Sequence, residues 1–222
     1  MLAFDCAGDE RSVALVEGER CVAEAAAAGA ARHAEGLIAL IDGALAEAGW
    51  TPASLDILAV GAGPGSFTGV RIAVAAGRGL ALALDRPVLA VDGRDVLLAR
   101  PAPGRTTVAA IDARRGGLYA AWSGAAWSGD EATYAATALP PGAVAARVPG
   151  PLAVRGSGAA LLAAAAGPRA VVEPRHITAA GVAEVALGAL GNGAVTQPGT
   201  SLVPRYLRAP DAVPASASVR AV

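Results

Sequence analysis

The chain has 222 residues and a formal net charge of −1, with 54% hydrophobic and only 4% aromatic residues. That length allows one domain of good size or two small ones built on each other, and the near-neutral charge supplies no basic field for non-specific nucleic-acid binding. All 18 cationic side chains are arginine, which reads as a compositional bias and not as chemistry. The longest charge-free run, residues 185–204, contains Gly188, Gly191, Asn192, Gly193 and Pro198. It cannot form the roughly 20-residue apolar helix that a membrane span needs. Asp5 interrupts any apolar segment at the start, so no signal peptide is expected. Cys6 and Cys21 are too few for a disulfide framework. A soluble cytoplasmic protein is expected.

Residues 2–7 (LAFDCA), 13–17 and 21–25 read as three short strands separated by Gly/Asp turns, an antiparallel meander. A helix over residues 31–48 follows, with Leu37, Ile41, Leu45 and Ala48 on one apolar stripe and Ile38 beside it. Residues 55–62 form a continuous apolar run, a buried strand. A glycine-rich turn, a helix over 68–84 and a strand over 88–91 come next, a right-handed parallel crossover. Pro101, Pro103 and Gly104 mark the internal boundary. Beyond it, 108–112 and 118–122 read as paired strands around Arg115-Gly116-Gly117, 152–155 as a strand, and 159–166 and 179–189 as helices. The expected organisation is a first lobe over 1–100, a smaller α/β lobe over 101–200, and a partly flexible tail over 201–222 that frays after Ala209.

The stretch GPGSFTGVRIAVAAGRGLALAL, residues 63–84, looks at first like a phosphate-binding loop. A Walker A loop requires a lysine, and the chain has none. The dinucleotide fingerprint fails at Ser66, and a nucleophile elbow would need glycine where Pro64 stands. The free N–H groups near Ser66, Thr68 and Gly69 could accept an anion, or Ser66 or Thr68 could simply cap the helix. Gly69, Gly77 and Gly79 each cost about 1 kcal/mol relative to alanine in a helix interior. With Ala73, Ala76 and Ala81 they make a surface on which other backbones sit close. Arg71 and Arg78 share a face and are the only charges there. Such a helix is either central to its lobe or covered on its outer face by another chain. It is a packing helix.

These residues resemble the signature of the TsaB (YeaZ) family, a component of the bacterial machinery that makes threonylcarbamoyladenosine in tRNA. The opening LAFDCAGDERSVAL is similar to that family's first hairpin, RHAEGLIALIDGALAEAGW to its first helix, IDARRGGLYAA to its DAR…Y segment and PRYLR to its closing motif. The resemblance implies an actin-like ATPase (ASKHA, ribonuclease H-like) α/β fold in two lobes. It further implies a non-catalytic subunit that binds and activates a catalytic paralogue, TsaD, helps to recruit the ATPase TsaE, and forms a homodimer when TsaD is absent. The contact helices would be 31–48 and 68–84. The interface would draw on His33, Leu37, Leu40, Ile41, Ala44, Ser66, Phe67, Thr68, Arg71, Val74, Ala75 and Arg78, and Val74→Arg or Ala75→Glu would break it. ATP and a metal would belong to the assembled complex, and tRNA would be met only through it.

TsaD proteins carry an HxxxH metal pair, and its positions fall here on Gly93 and Leu97, neither of them a ligand. The two histidines, His33 and His176, read as a surface or interface residue and a loop or cap residue. No catalytic residue and no metal ligand is expected. The alternatives are a metallopeptidase-like (glycoprotease family) hydrolase and a stand-alone ATP-binding enzyme of the actin-like fold, for which Asp5, Gly8 and Ser12 are the nucleotide candidates. Cys6 and Cys21 read as buried strand thiols. Asp112 and Arg114 read as a hairpin ion pair, and Tyr119, Trp122 and Trp127 as paving on one face of the second lobe.

Overall fold

A computed structural model of the chain describes residues 1–8, 10–28, 33–123 and 133–207, with side chains of the first helix from Gly36 onward. The expected helix residues 31–32, the side chain of His33, Trp127 and the tail beyond residue 207 lie outside the described residues. The first sheet contains β1 (Leu2–Asp5), β2 (Glu10–Glu17), β3 (Arg20–Ala28), β4 (Leu58–Gly61) and β5 (Val88–Val91), in the order β3-β2-β1-β4-β5. β2 lies between β1 and β3 and is antiparallel to both, whereas β4 runs parallel to β1 and β5 parallel to β4.

The second sheet contains β6 (Thr106–Asp112), β7 (Leu118–Ser123), β8 (Thr133–Tyr134), β9 (Leu152–Arg155) and β10 (Ala170–Val172), in the order β8-β7-β6-β9-β10. β7 is antiparallel to β6 and β8 to β7, while β9 and β10 continue parallel. The two sheets therefore share one topology. No sequence repeat announces it, because strand pairing constrains only an apolar pattern that many sequences satisfy.

Period-two alternation splits the first lobe into two layers. Leu2 and Phe4 face α1 (His33–Ala48) and α2 (Phe67–Leu84), where Leu37, Ile41, Leu45, Val70, Ala73 and Val74 close a core. Ala3 and Ala14 face the other way, and these small residues let Val182, Ala183 and Ala186 of α6 (Ala179–Gly191) approach. α6 thus belongs to the first lobe although it follows the second in sequence, which corrects the expected 1–100 and 101–200 division. In the second lobe α4 (Pro141–Arg147) and α5 (Ala159–Ala166) cover one face through Val144 and Leu162. Tyr119 and Trp122 belong to cores on opposite faces of β7, so they do not pave one face. Their odd spacing along a strand requires this.

The sequence reading passed over α3 (Gly93–Leu98), a helix of six residues, yet it is the joint between the lobes. Val96 packs into the α6 layer, and Leu97 and Leu98 pack against Ile111 and Tyr119 of the second sheet. Asp92 caps α3 by accepting from the Arg94 N–H at 2.8 Å and pairs with the Arg94 guanidinium at 2.7 Å, both side chains being buried. Arg94 also donates to the Ala135 carbonyl, beyond β8, at 3.0 Å. At the other end the buried Arg155 of β9 donates to the carbonyls of Leu97, Ala99 and Arg100, each at 3.0 Å, and pairs with Glu173 at 2.7 Å. Arg155→Ala leaves those carbonyls, two of them buried, without this donor. It is expected to destabilise the protein by about 3 kcal/mol, read from urea midpoints.

The glycines of α2 divide by face. A Cβ on Gly69 would lie 1.7 Å from the Cys6 carbonyl oxygen, and one on Gly77 would lie 2.8 Å from Leu202 and 2.9 Å from Val60. The first turn of α2 therefore rests directly on the end of β1, and alanine cannot replace Gly69. Gly79 faces open space, which separates it from the packing glycines with which the sequence grouped it. Gly79→Ala should stabilise the isolated chain by about 1 kcal/mol, whereas Gly69→Ala should destabilise it severely or prevent folding. Thermal melts of the two variants read both outcomes.

Candidate functional site

Two surfaces qualify. The first is a cleft of about 910 Å³ between the lobes, lined by the β1–β2 turn, the start of α2, the β6–β7 turn, Gly156–Ser157 and His176–Thr178. Several backbone donors along its rim are taken by the chain's own acceptors. Asp5 Oδ1 accepts from the Ala7 and Gly8 N–H groups at 2.9 and 3.1 Å. The Ser66 N–H donates to the Ala7 carbonyl at 2.9 Å, and the Ser66 hydroxyl caps α2 by accepting from the Gly69 N–H at 3.3 Å. Ser66, and not Thr68, is the cap.

Ser12 Oγ accepts from the Ala179 N–H at 2.8 Å, and Thr178 caps α6 through the Gly181 N–H at 3.1 Å. His176 is exposed in the loop before that cap. On the far wall the Asp112 N–H donates to Ser157 Oγ at 3.1 Å and the Gly158 N–H to the Ala110 carbonyl at 2.8 Å.

Of the nucleotide candidates, then, Asp5 holds its own turn and Ser12 supports α6. Gly8 donates to Asp5. Asp5 is fully buried, and its Oδ2 has no hydrogen-bond partner among the described residues and lies where a Cβ on Gly61 would meet it at 2.0 Å. Burial raises its carboxyl to about 6, against the opposing pull of the Gly8 and Ala7 N–H groups. The Cys6 thiol is pushed up to about 12 by burial and by the neighbouring Asp5, so it is a core thiol. Cys21 is exposed and not buried as expected. Asp112 and Arg114 form the local pair expected of them, at 3.4 Å, with Arg114 exposed. Gly93 and Leu97, at the metal-pair positions, are buried in α3, and among the described residues no group of three His, Cys, Asp or Glu side chains is placed to hold a metal.

Asp5 makes the cleft wall sensitive to pH. Its native value lies above the ordinary carboxylate value, so the folded state binds the proton more tightly than the unfolded chain. Stability from this group is fully present below about pH 4 and falls as pH rises through about 6. Asp5→Asn should flatten that fall between pH 4 and 6, measured by urea unfolding at each pH.

The second surface is the outer face of α1 and α2. Between the helices lies a shallow groove of about 510 Å³ lined by Ile38, Phe67, Thr68, Arg71, Ile72, Ala75 and Ala76. Four of the expected contact residues do not reach the outer face. Leu37, Ile41, Ala44 and Val74 are buried in the chain's own core, because the apolar stripe of α1 faces its sheet. Leu40 is half-buried, and Ser66, Phe67, Thr68, Arg71, Ala75 and Arg78 are exposed.

The sequence reading missed Ile38, 42% exposed, and Leu82, 80% exposed. Leu82 continues the three-and-four spacing of Thr68, Arg71, Ala75 and Arg78, a signal available beforehand. It also missed the contribution of the C-terminal segment. Tyr206 accepts from Arg71 Nε at 2.8 Å, its ring lies 5.5 Å from that of Phe67, and the Arg71 guanidinium sits 3.8 Å over the Phe67 ring. Arg78 donates to the Thr200 carbonyl at 3.0 Å. α2 has the length and composition of a membrane-crossing helix, but its inner stripe packs on the first sheet as a core helix does.

A two-lobed α/β protein with one topology used twice, a cleft between the lobes and an apolar outer helix pair is the class defined here. A family model described as tRNA N6-adenosine threonylcarbamoyltransferase, TsaD, matches residues 26–139. The solved structure of YeaZ from Pseudomonas aeruginosa is 30% identical, superposes with a TM-score of 0.74, and is covered over 98% of its length and 92% of this chain. A tRNA threonylcarbamoyladenosine biosynthesis protein TsaB from Haemophilus influenzae is 36% identical over 124 residues, 54% of this chain and 51% of that protein. The match thus spans about half the length of that relative. An uncharacterized protein of Mycobacterium tuberculosis is 35% identical over 206 residues, 90% of this chain and 84% of its own. The chain belongs to the TsaB (YeaZ) family.

Proposed function

We propose that the chain is a non-catalytic subunit of the bacterial machinery that makes N6-threonylcarbamoyladenosine in tRNA. It docks on a TsaD-type catalytic subunit, activates it and helps to recruit TsaE. The observation that carries this reading is the outer face of α2, where Phe67, Ala75, Gly79 and Leu82 lie open beside the groove lined by Ile38. Apolar surface left open on a helix already anchored on its other side favours burial against a partner. The TsaD family model covers α1 and α2, so a TsaD-type partner would offer an equivalent helix pair, and pseudo-twofold packing of like faces follows. Without TsaD the same face would pair with a second copy.

The duplicated sheet order supports an actin-like scaffold. The use of Asp5 and Ser12 within the chain, and Gly93 and Leu97 where a metal pair would stand, support a scaffold role over catalysis. ATP and metal would then be held by the assembly, tRNA met through it, and the site of action would be the cytoplasm.

Analytical ultracentrifugation of the chain with TsaD from the same organism should give a one-to-one complex at the expense of any homodimer. Two components that ignore each other at micromolar concentration would overturn the reading. Ala75→Glu places an unpaired charge in the groove and should weaken the complex roughly 100-fold, with an unchanged melt for the isolated chain. Val74→Arg cannot serve as that test. Val74 is 3% exposed within the chain's own core, and its replacement would unfold the first lobe.

A further inference from the structure

The segment Leu202–Leu207 touches four separate parts of the molecule. Leu202 is buried in the α1–α2 core. The Arg205 N–H donates to the Ala62 carbonyl at 2.8 Å, and its guanidinium reaches Asp92 Oδ2, the cap of α3, at 3.4 Å. Tyr206 lies on Phe67 and Arg71 at the first turn of α2, and Leu207 packs into the second-lobe core of Leu97, Ile111 and Tyr119. Asp92 in turn holds Arg94, which reaches across to the Ala135 carbonyl and lies 4.8 Å from the Tyr134 ring. Three consecutive residues thus link the docking groove, the interlobe joint and the second lobe.

We propose that Leu202–Leu207 is a strap that couples docking at the start of α2 to the relative position of the two lobes. The proposal rests on the docking reading above and adds its regulation. A partner seated over Phe67 and Arg71 shields the Arg71–Tyr206 bond from water and strengthens it. Tyr206 then stays against Phe67, Arg205 stays on Asp92, and Leu207 stays in the second lobe, so the joint is held in one arrangement. Linkage makes the effect reciprocal: whatever loosens the strap weakens docking by the same factor.

The coupling is tested first in the isolated chain, by hydrogen exchange of the Arg94 and Ala135 amides. Phe67→Ala and Tyr206→Phe should each speed exchange at those two amides roughly fivefold or more, while Val108 and Val154 inside the second sheet keep their rates. Unchanged rates at Arg94 and Ala135, or a uniform rise that includes Val108 and Val154, would overturn the strap. The second arm measures affinity for the TsaD-type subunit. Arg205 does not line the groove, yet Arg205→Ala should weaken binding roughly fivefold or more, and an affinity equal to that of the unaltered chain overturns the coupling. If the unaltered chain binds no such subunit, the docking reading falls, and the exchange measurement alone decides the strap.

Discussion

The architecture turns on the grip of arginine side chains on α3. A helix of six residues has too few internal hydrogen bonds to hold itself, and it sits where two lobes must meet. Arg155 answers the open carbonyls at its C-terminal end with three bonds while pairing with Glu173. Arg175 adds a bond to the Val96 carbonyl at 3.0 Å. At the other end Asp92 supplies the cap and Arg94 the link to Ala135. The planar fork of a guanidinium can address several acceptors at once, which a lysine ammonium on a flexible stem does less well. An all-arginine chain therefore has a structural use at this joint, whatever the origin of the bias. With α3 held, the two lobes are joined beside the cleft.

The cleft and the outer helix face then divide the chemistry between them. Along the cleft rim Asp5, Ser12, Ser66 and Thr178 each satisfy a turn or a helix end. The outer face of α1 and α2 shows the reverse arrangement. Gly69 and Gly77 are consumed by close contacts with β1 and Leu202, whereas Gly79 and Gly43 meet nothing within 4 Å. Small residues on an inner face let the helix sit low on the sheet. Small residues on the outer face leave room for another backbone.

Much of this was legible in the chain itself. The strands at 88–91 and 152–155 and the helix at 159–166 coincide with β5, β9 and α5, because runs bounded by Gly, Pro and Asp leave little choice of where an element begins. The packing character of α2 was legible from its glycines, and its exposed face from the spacing of Thr68, Arg71 and Ala75. The stripe Leu37, Ile41, Leu45 was read correctly as one face. Its destination was not, since periodicity shows that a face is buried without showing what buries it.

The sequence by itself determined the local elements, the absence of any lysine-dependent phosphate loop, and the need for close backbone approach at residues 63–84. Only the tertiary structure decided which contacts met those needs. It placed α6 on the first sheet and made a six-residue helix the joint. It also brought Tyr206 onto Arg71, 135 residues away in the chain. These are long-range choices, set by volume, by unsatisfied carbonyls and by the direction of a single carboxylate. A linear pattern carries local propensity and periodicity, while the pairing of distant polar groups exists only once the chain has closed around them.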